Sequence, residues 1–363
     1  REDLLPLWVA DMDFSVAPAI LKAVEERATH PIYGYNFSTD KYYESVINWM
    51  KNRHNWDINK DWIVFTSGVV PALSYCVKAY TEPGDNVIIQ SPVYRPFYTT
   101  IENNGRNIIT NPLIYKDGRY YMDYEDLERK IDSRTKLLVL CSPHNPVGRV
   151  WSKEELARLG EICLRNDIII ISDEIHFDIV YKGYNHTVMA NVSPEIRENC
   201  IVCTAPSKTF NIAGLQVSNI IIPNEDLRER YSIELEKDHI TKPNVFGEGA
   251  LVAAYEESED WLDSLLEYLE ENRDFFMNFV EKKLPQLKVI KAEGTYLLWV
   301  DCSGLGMDSE GLWDFFVNKC KLALNPGKMF GKEGELFQRF NIGCPRSILE
   351  EALNRIEREI KKL

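Results

Sequence analysis

The chain has no apolar run near the ~20 residues that a helix needs to cross a bilayer, and its amino end has no basic segment followed by an apolar one. Neither a membrane span nor a signal segment is expected, and a cytoplasmic location is. Basic residues are outnumbered: 42 Lys and Arg stand against 56 Asp and Glu, a formal charge of -14. Nucleic acid and anionic membrane both require a positive footprint, so neither is expected as a partner. Paired cysteines are scarce as well. Of eight cysteines only Cys200 and Cys203 are close together, and they lie in a predicted strand, where their odd separation turns the side chains to opposite faces. That excludes a zinc site or a dithiol there, and the six dispersed histidines give no metal site elsewhere. Packed, reduced thiols fit the cytoplasm. There is no internal repeat and no low-complexity segment. The chain begins at Arg1 without Met, and further residues are expected before it.

What the chain does have is core. A length of 363 residues with 45% hydrophobic content suggests two or three domains. Between residues 40 and 255, strand-like runs at 86–90, 136–141, 168–171, 201–204 and 217–222 alternate with helical patterns such as 152–165. Repeated βα units imply an α/β fold, a mainly parallel sheet flanked by helices. After residue 259 a charged amphipathic stretch at 261–284 ends near Pro285. The tail then reads strand at 288–292, strand at 296–302, helix at 311–320 and helix at 347–362.

Four polar clusters sit just after apolar runs, where ligands bind in an open parallel sheet. They are Ser67-Gly68-Val69-Val70-Pro71, Ser142-Pro143-His144-Asn145-Pro146-Val147-Gly148, Asp173-Glu174-Ile175-His176 and Ser207-Lys208-Thr209-Phe210-Asn211. Alone, Lys208 reads as a surface residue and Asn145-Pro146 as an ordinary turn. In one crevice they suit pyridoxal 5'-phosphate. The amine of Lys208 can condense with an aldehyde, and Asp173 can keep a ring nitrogen protonated. Asn145 can donate its amide to the ring's phenolate oxygen. The helix that opens at Gly68, Val69 and Val70 offers free backbone N–H groups to a phosphate.

These residues resemble the fold type I pyridoxal phosphate enzymes, the aspartate aminotransferase superfamily, and more closely its MalY/PatB class of cystathionine β-lyases. The resemblance runs from Leu7-Trp8-Val9-Ala10-Asp11-Met12-Asp13-Phe14 to Arg339-Phe340-Asn341-Ile342-Gly343-Cys344-Pro345-Arg346, with Pro92-Val93-Tyr94-Arg95-Pro96-Phe97 and the Asp173 and Lys208 motifs between. It implies a large cofactor-binding domain at 39–261 and a smaller discontinuous α+β domain at 1–38 and 262–363. It further implies that Arg346 grips the substrate α-carboxylate, that Tyr94 stacks on the cofactor and takes part in catalysis, and that Ala10 passes close to the substrate. Thr204 and Ser207 are expected as hydroxyl donors to the phosphate. Tyr35 is expected to reach the phosphate of a neighbouring subunit, which makes a homodimer with shared active sites.

Three departures from the aminotransferase pattern matter. Gln216 and Ala205 stand where a phosphate-binding arginine and a serine are usual, and His176 stands where a tyrosine usually meets the ring oxygen. No arginine occurs between Arg230 and Arg273, the region that reads a second carboxylate in aspartate-specific enzymes. The implied activity is a C–S β-lyase acting on L-cystathionine or related cysteine S-conjugates, small amino-acid substrates. The alternatives are an aminotransferase and a regulatory protein that binds the cofactor.

Overall fold

A computed structural model describes residues 3–240 and 242–363 of the chain. Among them, the alternating apolar runs form a seven-stranded sheet in the order Ile63–Thr66, Ser218–Ile221, Cys200–Thr204, Ile169–Asp173, Thr135–Cys141, Asn86–Ile89, Asn107–Thr110. Ser218–Ile221 runs against both of its neighbours, and every other pairing in the sheet is parallel. This is the α/β arrangement that the alternation predicts.

The strands read as continuous apolar runs because both faces are covered. In Thr135–Cys141, Leu138 and Leu140 join one core cluster, while Leu137, Val139 and Cys141 join the other. Cys200 and Cys203 divide in the same way, on opposite faces as their spacing requires. Each such fully buried Leu or Ile contributes roughly 1.5–3 kcal/mol. The covering helices begin where local chemistry starts them. Ser152 Oγ accepts from the Glu155 N–H at 3.2 Å and Glu155 Oε2 accepts from the Ser152 N–H at 2.8 Å, a reciprocal cap on Lys153–Arg165.

The helix Glu259–Lys283 leads into a second, antiparallel sheet of four strands, in the order Lys288–Val289, Leu297–Asp301, Phe337–Asn341, Asn325–Pro326. Leu5–Pro6 returns to this part of the chain and pairs in parallel with Leu322–Ala323. The helix Pro18–Thr29 packs on Val245–Glu257. No helix among the described residues is long and apolar enough to cross a membrane.

The sequence pattern overlooks Phe337–Asn341. Phe alternating with Gln, Arg and Asn reads as a half-exposed segment, yet all five residues are buried in a central strand. Most of their polar groups find partners inside. Arg339 Nη2 donates to the Trp8 carbonyl at 2.7 Å, and Asn341 Nδ2 donates to the carbonyls of Val9 and Asp11, both at 2.6 Å. The strand therefore fixes the amino-terminal segment by its backbone and brings Arg339 into the molecule's interior.

Candidate active site

The carboxyl ends of the parallel strands converge on one cavity of about 190 Å³. Lys208 follows strand Cys200–Thr204 on the single-turn helix Pro206–Thr209, and its Nζ donates to the Ala10 carbonyl at 2.6 Å. Asp173 ends strand Ile169–Asp173, in register with Cys141 on one side and Cys203 on the other. Its Oδ1 accepts from the Ile175 N–H at 3.1 Å, the one hydrogen bond to this carboxylate among the described residues. Asn145, in the loop after Thr135–Cys141, accepts from Arg339 Nη1 at 3.1 Å through Oδ1, which leaves its amide hydrogens uncommitted. The helix Val69–Tyr80 starts at Gly68 with no side-chain cap, so the N–H groups of Val69 and Val70 open onto the cavity wall.

Burial sets the electrostatics. It pushes the Asp173 carboxyl up to about 7, with the charge of Glu174 adding and that of Lys208 opposing. Lys208 is pushed down by burial and by the Arg339 charge, toward the neutral amine that a nucleophile or base requires. His176 is pushed down to about 3 by burial and by the Lys208 and Arg339 charges, and its Nδ1 has no partner. It is a neutral imidazole, packed edge-on against Tyr296 at 5.7 Å. Burial raises the Tyr94 phenol, and the charge of Asp173 raises it further.

Most of the residues expected from the sequence meet here: Ala10, Gly68, Val69, Val70, Tyr94, Asn145, Asp173, His176, Ser207 and Lys208 all line the cavity. Three do not. Thr204 is fully buried, and its hydroxyl donates to the Asn219 carbonyl at 3.1 Å, committed to the neighbouring strand instead of to a phosphate. Tyr35 is fully exposed in a segment without regular structure and does not line the cavity of its own chain. Arg346 opens the last helix, where Nε donates to Asn272 Oδ1 at 2.7 Å and Nη2 faces Glu271 at 3.6 Å.

The cation that the sequence reading overlooks is Arg339. It is buried, sits over the Phe330 ring at 5.0 Å, has no carboxylate partner among the described residues, and leaves its Nε without any hydrogen bond. Burial pushes it down to about 10. Tyr296 is also missed: its hydroxyl donates at 2.9 Å to the same Ala10 carbonyl that holds Lys208. The period-two pattern Phe337, Arg339, Asn341 is the signal that would have placed Arg339 on one face of a strand.

The sheet and this cleft together define a fold type I pyridoxal phosphate enzyme. The chain matches the aminotransferase class I and II family over residues 2–356 and belongs to it, in the MalY/PatB class. It is 46% identical over 356 residues to cystathionine β-lyase PatB of Bacillus subtilis (strain 168), covering 98% of this chain and 92% of that one. Among solved structures, a pyridoxal phosphate-bound putative aminotransferase from Clostridium difficile 630 matches with TM-score 0.97 and 49% identity, covering 99% of this chain and 93% of that one. Cystalysin from Treponema denticola, which contains a pyridoxal 5'-phosphate cofactor, matches with TM-score 0.97 and 40% identity, covering 100% of this chain and 92% of that one.

The residues present fit that cofactor. An uncapped helix start suits its phosphate, a carboxylate with one backbone donor suits its ring nitrogen, and a depressed amine suits its aldehyde. A stability test follows from Asp173. Its pKa in the folded apoprotein lies above the unfolded value, so the folded state holds the extra proton between about pH 4 and pH 7. Stability of the apoprotein therefore falls as pH rises through that window, by on the order of 3 kcal/mol. Asp173→Asn apoprotein is expected to be more stable than wild type at pH 8 by a similar amount, and nearly equal to it at pH 4.5. Thermal unfolding at the two pH values checks this, and an Asn variant less stable at pH 8 would contradict it.

Proposed function

We propose that this protein is a pyridoxal phosphate-dependent C–S β-lyase that converts L-cystathionine and related cysteine S-conjugates to pyruvate, ammonia and a thiol. The observation that carries the substrate reading is Arg339, one buried guanidinium without an anionic partner among the described residues, beside Lys208 and hydrogen-bonded to Asn145. It suits a single α-carboxylate approaching the free Nε, since Nη1 already donates to Asn145 and Nη2 to the Trp8 carbonyl and Asn325. Arg339 stands behind the lining residue Asn145, no arginine among the described residues forms the cavity wall itself, and much of that wall is apolar, including Val70, Ile175, Ala213 and Val217. The side chain of the substrate is therefore met without a carboxylate reader close to Cβ, which counts against aspartate.

Bound pyridoxal phosphate supplies an electrophilic aldehyde and a ring that withdraws electrons from the substrate Cα. Around it, this chain's residues divide the work. Val69 and Val70 N–H groups, with Ser207, would hold the phosphate. Asp173 would keep the ring nitrogen protonated, Asn145 and His176 would serve the ring oxygen, and Tyr94 would cover the ring. Lys208 would take the α-proton of the substrate, whose thiolate would then leave from Cβ. Proton transfer of this kind typically supplies ~10² to 10⁴ in rate.

The reading includes a homodimer in the cytoplasm. Ile32, Tyr33, Tyr35 and Phe37 form an exposed apolar strip, and Tyr35 from one chain would complete the phosphate site of the other. Mixed dimers of Lys208→Ala and Tyr35→Ala chains, each dimer holding one intact site, would then recover activity that neither variant has alone. The reaction itself is tested by steady-state assay. Release of pyruvate, ammonia and homocysteine from L-cystathionine without any 2-oxo acid supports the lyase. Turnover that requires a 2-oxo acid would make the protein an aminotransferase.

A further inference from the structure

Behind the cleft lies a buried carboxylate that the chemistry above does not use. The Asp178 side chain is fully buried and accepts three hydrogen bonds, from Thr209 Oγ1 at 2.6 Å, His54 Nε2 at 2.8 Å and Trp49 Nε1 at 3.1 Å. Trp49 and His54 come from one helix, Asp40–His54, and both rings are fixed. Trp49 stacks on Tyr255 at 4.8 Å, and His54 stacks on Phe177 at 4.2 Å. A carboxylate held in this way is a rigid anchor, since its charge is satisfied and its donors cannot turn away.

The third donor, Thr209, directly follows Lys208. Both stand on Pro206–Thr209, a helix of four residues, too short to be stable on its own. The backbone that carries the Lys208 amine therefore depends on what holds it from outside. On the cleft side that is the Ala10 carbonyl, which the amine must leave in order to react. On the far side it is the Thr209 hydroxyl on Asp178. Asp173 is braced in a similar manner. Its neighbour Glu174 accepts from Ser172 Oγ at 2.8 Å, from the Met189 N–H at 2.9 Å and from His186 Nε2 at 2.6 Å. His54, His186 and Asp178 line one polar cavity on that far side.

We propose that Asp178, acting through the Thr209 hydroxyl, is a positioning residue that fixes the Lys208 backbone while the amine changes partners. The proposal rests on Lys208 being the amine that captures the cofactor aldehyde, an assignment that Lys208→Ala tests separately. Thr209→Val removes the hydroxyl at nearly constant volume. In the apoprotein it is expected to slow covalent capture of pyridoxal phosphate about tenfold or more, and in the holoenzyme to lower kcat by about 10- to 100-fold. Pyridoxamine phosphate has no aldehyde and binds without Lys208, so its affinity, like KM, is expected to stay within about threefold. Thr209→Ser restores the hydroxyl and is expected to restore both rates. Asp178→Asn keeps an acceptor for Thr209 and is expected to fall between. Unchanged capture in Thr209→Val, an equal loss of pyridoxamine phosphate affinity, or a Thr209→Ser variant no better than Thr209→Val would overturn the proposal. Failure of both Thr209→Val and Asp178→Asn to fold would also overturn it, since the cluster would then serve only the fold.

Discussion

Lys208→Ala is expected to abolish the visible absorption of the covalently held cofactor and to lower turnover by roughly 10⁴-fold, with the fold retained. Lys208 lies at a strand end where the Asp173 and Asn145 ends also meet, and it is the lysine that lines the cavity. Its one hydrogen bond among the described residues is to a neutral carbonyl, that of Ala10, which gives up the amine without leaving a charge unpaired. Burial and the Arg339 charge both favour its neutral form. The substitution removes no buried ion pair, so stability of the apoprotein should change little. Absorption spectra of the reconstituted variant, with circular dichroism to show the fold, decide the matter. A variant that keeps the absorption band would place the covalent bond on another residue.

Arg339→Ala is expected to lower kcat/KM for L-cystathionine by about 30- to 3000-fold, chiefly through KM, while Arg346→Ala stays within a fewfold of wild type. A buried, charge-assisted carboxylate pair loses roughly 2–5 kcal/mol when one partner is truncated, and each 1.4 kcal/mol is about tenfold. Arg339 has that environment: buried, facing Asn145, with an unused Nε. Arg346 does not. Its guanidinium is partly exposed and lies 3.6 Å from the Glu271 carboxylate, whereas Arg339 is held by neutral acceptors. Kinetics on the two variants side by side check the assignment. The reverse order of effects would return the α-carboxylate to Arg346.

The contrast between these two arginines shows what the sequence could and could not convey. Lys208, Asp173, Asn145 and Gly68 were legible because each follows an uninterrupted apolar strand, and the ends of parallel strands share one edge. Arg339 and Arg346 stand seven residues apart in one motif, and only the period-two pattern around Arg339 sets them apart locally. What separates them is pairing. Phe337–Asn341 is a central strand between Leu297–Asp301 and Asn325–Pro326, and that sheet carries Arg339 to the cleft while Arg346 starts a helix beyond it. Thr204 was misread for a related reason, since its place opposite Asn219 in an antiparallel pair is a long-range fact. Tyr296 and Asp178 act through contacts with Ala10 and Thr209 that are remote in sequence, so no spacing announces them.

The most direct test of a C–S β-lyase on this scaffold is a single turnover. Holoenzyme free of any 2-oxo acid is mixed with one equivalent of L-cystathionine, and products and cofactor are then identified by mass spectrometry. Pyruvate and homocysteine are expected at about one equivalent each, with the cofactor recovered as pyridoxal phosphate and bound again to Lys208. Recovery of the cofactor as pyridoxamine phosphate, with no pyruvate formed, would contradict the lyase assignment.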